Sequence, residues 1–130
     1  MDKINKYLDF SGSHTDAKTW FIDLDGVLAM HNQYKSGNDE IIEGSRETLG
    51  KIPKKDIVII TTARPYRYKK NTIDILKKNN IRFDSILFGL NSGLRVLIND
   101  KKPNGNITAR AINLKRNSGL KGKKSFINLL

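Results

Sequence analysis

Two apolar runs, Thr19-Trp20-Phe21-Ile22-Asp23-Leu24 and Asp56-Ile57-Val58-Ile59-Ile60-Thr61-Thr62, constrain this chain more than any other feature. Neither alternates apolar with polar residues, which is the mark of a strand covered on both faces. Between them, Glu43 to Lys51 carries Leu49, with Ile52 beyond it, among polar positions, and Pro53 breaks the pattern, so a short helix is expected there. Buried strands joined through a helix run parallel, because a parallel connection needs a crossover of about a dozen residues or more. The expected class is therefore α/β, with a mainly parallel central sheet.

The same alternation continues downstream. Arg67 to Asn79 sets Ile73, Leu76 and Lys77 at helical spacing, and Asn79-Asn80 closes that helix. Three more apolar segments are expected as strands: Ser85-Ile86-Leu87-Phe88-Gly89, Arg95-Val96-Leu97-Ile98-Asn99-Asp100, and Ala109-Arg110-Ala111-Ile112-Asn113-Leu114. Residues 1–17 are polar and broken by Ser11-Gly12-Ser13, an expected N-terminal arm. This leaves 18–130 as a single domain with a basic tail from about 115. The interval from Asp25 to Asp56 is too short for an inserted cap domain.

Composition excludes several classes of chemistry. No apolar run approaches the length of a membrane span, and the N-terminus lacks the pattern of a secretory signal, so a cytoplasmic location is expected. With no cysteine there is no disulfide, no thiolate nucleophile and no cysteine-ligated zinc. His14 and His31 lack metal-ligand spacing, and Trp20 is expected in the core. The net charge of +11 comes from lysines scattered along the chain, the pattern of a solvated surface, although no acidic residue follows Asp100. Such a field favours phosphorylated substrates without identifying them.

In open parallel sheets, ligands collect beyond the carboxyl ends of the strands. Three expected strands end there in reactive or polar residues: Asp23 and Asp25, Thr61 and Thr62, Asn99 and Asp100. Gly26 permits a sharp turn, so both early carboxylates can face one pocket. Carboxylate attack by Asp23 on phosphorus would give an aspartyl-phosphate, dividing hydrolysis into two easier steps. Asp25 is placed to protonate the leaving oxygen and then to activate water. The hydroxyl of Thr62 or Thr61 can donate to a phosphoryl oxygen, with backbone amides after Asp23, beginning at Leu24, as further donors. A hard cation such as magnesium takes oxygen ligands, which suits Asp23, a nearby backbone carbonyl and a distant carboxylate such as Asp100.

These residues resemble the haloacid dehalogenase superfamily. Its first motif, aspartate, any residue, aspartate and glycine, is matched by Asp23-Leu24-Asp25-Gly26. The second, an apolar strand ending in threonine or serine, is matched by Ile57 to Thr62 followed by Ala63-Arg64-Pro65, and the fourth by Val96-Leu97-Ile98-Asn99-Asp100. The resemblance, over about residues 18–114, implies a Rossmann-like three-layer sandwich and magnesium dependence. It implies Asp23 as nucleophile and metal ligand, and Asp25 as a ligand through its backbone carbonyl and as acid/base through its side chain. Asp100 would be a further metal ligand, and Thr61, Ala63, Arg64 and Leu24 phosphate-contacting positions beside Thr62. The lysine or arginine that the family places before the fourth strand is missing from Phe88 to Leu94, and Arg95, Lys101 or Lys102 would replace it, with Lys102 taken as the catalytic cation. Losing one such contact costs about 2.7–4 kcal/mol of transition-state stabilisation. Asn99 also stands where a second acid is common.

The resulting expectation is a lidless, magnesium-dependent phosphomonoester hydrolase acting on a phosphorylated sugar or similar metabolite. Without a lid, the site would close by self-association into a homo-oligomer or act on a macromolecular end. The alternatives are a nucleic-acid-binding or end-processing module, using the basic tail and Tyr66-Arg67-Tyr68-Lys69-Lys70, or a non-catalytic protein of the same fold.

Overall fold

The computed structural model describes residues 7–12 and 16–130. Most of the expected N-terminal arm, and His14, lie outside the described residues. Three strands form, β1 (Thr19–Asp23), β2 (Ile57–Thr61) and β3 (Ser85–Leu87), paired in parallel in the order β1-β2-β3. Register aligns Trp20 with Val58, Ile22 with Ile60, and Asp23 with Thr61 at the carboxyl end. Helix α1 (Ser45–Gly50) connects β1 to β2, and α2 (Lys69–Lys78), entered through a short 3-10 turn at Tyr66–Tyr68, connects β2 to β3. The α/β class and parallel pairing thus follow the apolar pattern.

The opposite end of the sheet is tied by polar side chains. Asp56 is buried, and its carboxylate accepts the Lys18 backbone N–H at 3.0 Å and the Trp20 indole N–H at 2.9 Å. Arg82 donates to the carbonyls of Ile52 at 2.7 Å and Asp56 at 2.6 Å, and so ties the exit of α1 to the entry of β2. These bonds satisfy backbone groups that would otherwise be buried without partners.

The core gathers on one side of the sheet. Ile22, Val58 and Ile60 pack there with Leu49, Ile52, Leu76 and Ile81. β1 is not covered on both faces as its sequence suggested: Phe21 points the other way and is 56% exposed. Only β2, nearly buried along its length, has the expected character. The described residues therefore form a small α/β unit around a three-stranded parallel sheet, with β1 at an edge.

Two expected strands are absent. Arg95–Asp100 and Ala109–Leu114 form no ladder, and residues 91–110 are exposed throughout. Local hydrogen bonds explain the shape of this stretch. The Arg95 guanidinium donates to the carbonyls of Asn91 and Gly93, folding the segment back on itself. The turn at Lys102-Pro103-Asn104-Gly105, closed by the Gly105 N–H on the Lys102 carbonyl at 2.8 Å, brings Thr108 to Asn99.

Residues 115–130, expected as a basic tail, complete the core instead. Leu120 and Phe126 are buried, and Phe126 in α3 (Lys124–Ile127) packs its ring 5.3 Å from that of Trp20. Gly119 is required there, because a β-carbon on it would lie 2.8 Å from Ile42 Cγ2. Phe126→Ala should cost about 3–5 kcal/mol. Urea unfolding followed by fluorescence of the single tryptophan, Trp20, reads the effect directly; an unchanged midpoint would place the C-terminal segment outside the domain.

Candidate active site

Asp23 is the last residue of β1, and the chain turns immediately after it. Gly26 adopts φ 91°, a left-handed conformation that a residue with a β-carbon rarely takes. The Leu24 carbonyl accepts the N–H groups of Leu28 and Ala29, each at 2.9 Å, forming a tight coil. The chain then runs out into a loop and returns. Its base is antiparallel: the Met30 N–H bonds the Glu40 carbonyl and the Ile42 N–H the Leu28 carbonyl, both at 2.8 Å. Loop 30–40 thus stands at the carboxyl end of the sheet.

Asp25, Thr62 and Arg64 meet at this end. Thr62 is fully buried; its hydroxyl donates to Asp25 Oδ2 at 3.0 Å and accepts the Arg64 backbone N–H at 3.1 Å. The side chain of Arg64 is 1% exposed. Its Nη2 donates to Asp25 Oδ1 at 2.9 Å, and its Nε is shared between both Asp25 oxygens at 3.2 Å. Its Nη1 reaches Asp39 Oδ2 at 2.7 Å and Thr72 Oγ1 at 3.1 Å, and Nη2 reaches Asp39 Oδ1 at 2.9 Å. The Tyr34 ring lies 4.2 Å from the guanidinium carbon. A guanidinium has five N–H groups, and all are used within the protein.

Several expected roles change accordingly. Arg64 has no donor left for a phosphate and acts as an internal bridge. The Leu24 N–H is also spent, donating to the Thr61 carbonyl at 2.9 Å as the sheet pairing continues past β1. Thr61 is buried beside Asp23 in register, Thr62 bonds Asp25, and Ala63 is exposed at the end of β2. Asp100 and Lys102 lie in the exposed stretch beyond Gly89. Among the described residues, no group of three histidine or acidic side chains is close enough to hold a metal, so Asp23, Asp25 and Asp100 are not brought together.

The electrostatics favour a different cation. Partial burial, then repulsion from Asp25, pushes the Asp23 carboxyl above its ordinary pKa, while the Arg95 charge, the Leu24 backbone N–H that it shares with the Thr61 carbonyl, and the His31 charge oppose the rise. Arg95, not Lys102, is thus the basic side chain felt most strongly by Asp23. Burial alone would lower the Arg64 pKa, but its bonds to Asp39 and Asp25 raise it above the ordinary value and keep the cation charged. Burial and the Asp25 charge likewise raise Tyr34.

Asp39, Tyr34, Thr72 and Asn117 belong to this site, yet carried no motif. Asn117 N–H donates to the Gly26 carbonyl at 2.8 Å while its side-chain oxygen accepts the His31 N–H at 2.9 Å, pinning the C-terminal segment onto the turn. Asp39, in Ser36-Gly37-Asn38-Asp39-Glu40, reads as an ordinary polar turn; its partner lies on another element. No known protein family, curated protein or solved structure matches the chain.

The raised Asp23 pKa has a consequence for stability. Between the ordinary carboxylate pKa and the raised native one, the folded state binds more protons than the unfolded, so stability falls as pH rises through that window. At neutral pH the ionised group is therefore a net cost. Asp23→Asn should stabilise the protein at pH 7 by up to about 1 kcal/mol, a small gain because solvent screens an exposed carboxylate. Thermal melts at pH 7 and below the ordinary carboxylate range check this; an advantage that persists in acid would contradict the assignment.

Proposed function

We propose that this chain is a magnesium-dependent phosphomonoester hydrolase that works through an aspartyl-phosphate on Asp23, with a phosphorylated sugar or similar metabolite as substrate. The observation that carries this reading is the meeting of two carboxylates and a hydroxyl at one end of a parallel sheet, with Thr62 bonded directly to Asp25. Asp23 is open to solvent and can be approached by a phosphoryl group. Burial and the Asp25 charge raise its pKa, and Arg95 and His31 oppose that rise in favour of the ionised, nucleophilic form. Asp25 accepts three protein hydrogens, one from Thr62 and two from Arg64, of which the Nε–H is shared between both oxygens. Held this way beside Asp23, its side chain is the group assigned to carry a proton to and from the reacting oxygens. Ala63, exposed just beyond β2, is a further phosphate-contacting position in this reading.

Magnesium suits the donors assembled here. It commonly uses one or two carboxylates and otherwise keeps water and substrate oxygens, so the Asp23 carboxylate and the Asp25 backbone carbonyl would hold it. When bound, it offsets the repulsion between the phosphate and the Asp23 charge.

The finer fold, a Rossmann-like three-layer sandwich, is part of the same reading. Among the described residues β1 has an unpaired edge, and Val96, Leu97 and Ile98 are 73%, 62% and 91% exposed. Burying such side chains is worth about 1.5–3 kcal/mol each, so this segment has a strong drive to pair as a fourth strand beside β1. That would carry Asp100 towards Asp23. Hydrogen exchange checks it: amides 95–99 should be protected once magnesium and a phosphate analogue are present, and exchange at free-loop rates would rule out the fourth strand.

The activity itself is tested by phosphate release from a panel of sugar phosphates and an aryl phosphate. Turnover should require magnesium, stop with a chelator, and vanish in Asp23→Asn. Wild-type release no faster than that of Asp23→Asn would end the hydrolase reading.

A further inference from the structure

The Arg64 guanidinium is held in its plane by two carboxylates that arrive from different segments. Asp25, just past β1, takes the side formed by Nε and Nη2. Asp39, on loop 30–40, takes the end formed by Nη1 and Nη2 at 2.7 and 2.9 Å. Thr72, in α2, receives the last Nη1 hydrogen. Tyr34, on the same loop as Asp39, covers the face of the guanidinium and meets the Tyr68 ring edge-on at 4.9 Å. Loop 30–40 is thus docked on the β2–α2 connection by one ionic fork and one aromatic cover.

We propose that Asp39 is a positioning residue: acting through Arg64, it fixes the rotation of the Asp25 carboxylate and holds loop 30–40 over the carboxyl end of the sheet. Its catalytic consequence rests on the hydrolase reading above; the latch itself does not. With Asp25 alone as partner, the guanidinium could pivot about that carboxylate, and the end facing the loop would be left buried without an acceptor. Paired on both edges it has one orientation, and so has the Asp25 carboxylate that its Nε and Nη2 hold. Lysine at position 64 could not substitute, because an ammonium is a point donor without two fork-shaped edges. Asp39 touches no substrate in this scheme, so it is not a catalytic residue.

Two measurements on the full chain test the proposal. In NMR spectra at neutral pH, the Arg64 Nε–H should exchange slowly with water in the wild type. In Asp39→Asn it should exchange fast, and so should the amides of residues 31–38. In the phosphate-release assay, Asp39→Asn should lower kcat by about 100-fold, the scale of a misplaced reacting group, with KM unchanged, and Asp39→Glu should recover part of the loss. Slow Arg64 Nε–H exchange in Asp39→Asn would overturn the latch, whatever the activity. Loss of the latch with kcat unchanged would overturn the positioning role. If the wild type releases no phosphate, the hydrolase reading and this catalytic role fall together, while the NMR measurement still decides the latch. Should Asp39→Asn fail to fold, Tyr34→Leu removes the cover and keeps both carboxylates. It should speed Arg64 Nε–H exchange, and unchanged exchange would overturn the proposal.

Discussion

A guanidinium buried to 1% exposure must be given counter-charges and acceptors on the spot, and in this protein that requirement organises the carboxyl end of the sheet. Desolvating such a cation costs several kcal/mol, which is recovered only where geometry is good and every donor is used. Arg64 meets that condition by drawing on three parts of the chain: the turn after β1, loop 30–40 and α2. The cluster carries two carboxylates against one cation. Removing either acid leaves a buried charge with half its partners, and removing the arginine leaves two facing acids. The site is consequently as much a structural junction as a chemical one.

The junction also explains why the turn at Asp23-Leu24-Asp25-Gly26 is so closely supported from outside. The Leu24 N–H continues the pairing with β2, the Gly26 carbonyl receives Asn117, and His31 bonds the Asn117 side chain. The C-terminal segment that supplies Asn117 is anchored in turn by Leu120 and Phe126 in the core. The turn that carries Asp23 and Asp25 is thus fixed by backbone bonds to two distant stretches, the end of β2 and the C-terminal segment. The raised pKa of the Asp23 carboxyl comes first from its partial burial and second from the Asp25 charge at the same strand end.

Much of this was legible in the chain. The run Ile57 to Thr61 became β2, the segments around Leu49 and Leu76 became helices, and Thr62 met Asp25 just beyond the paired ends of β1 and β2. Apolar content failed as a guide at Arg95–Asp100. An apolar run states what would be gained by burial, but it does not supply the covering surface, and local bonds from Arg95 and the turn at Lys102–Gly105 hold this stretch apart. The same limit applies to Phe21, on a strand that reads as doubly buried yet has one open face. Conversely, the charge of residues 115–130 concealed two core side chains, because lysine-rich sequence says where the solvent is and not what lies between the lysines.

The sequence by itself determined the period of the elements, the parallel sense of the sheet, and the kinds of chemical group that stand at its carboxyl end. Those follow from local propensity and from alternation, which act over a few residues. Tertiary structure alone decided which groups are free. Arg64 looked available to a ligand until Asp25 and Asp39 were seen to occupy all of its remaining edges, and the Leu24 amide looked available until the Thr61 carbonyl claimed it. A side chain's chemistry is written in its identity, but its availability depends on partners that arrive from 25 to 39 residues away, at distances only the folded chain sets.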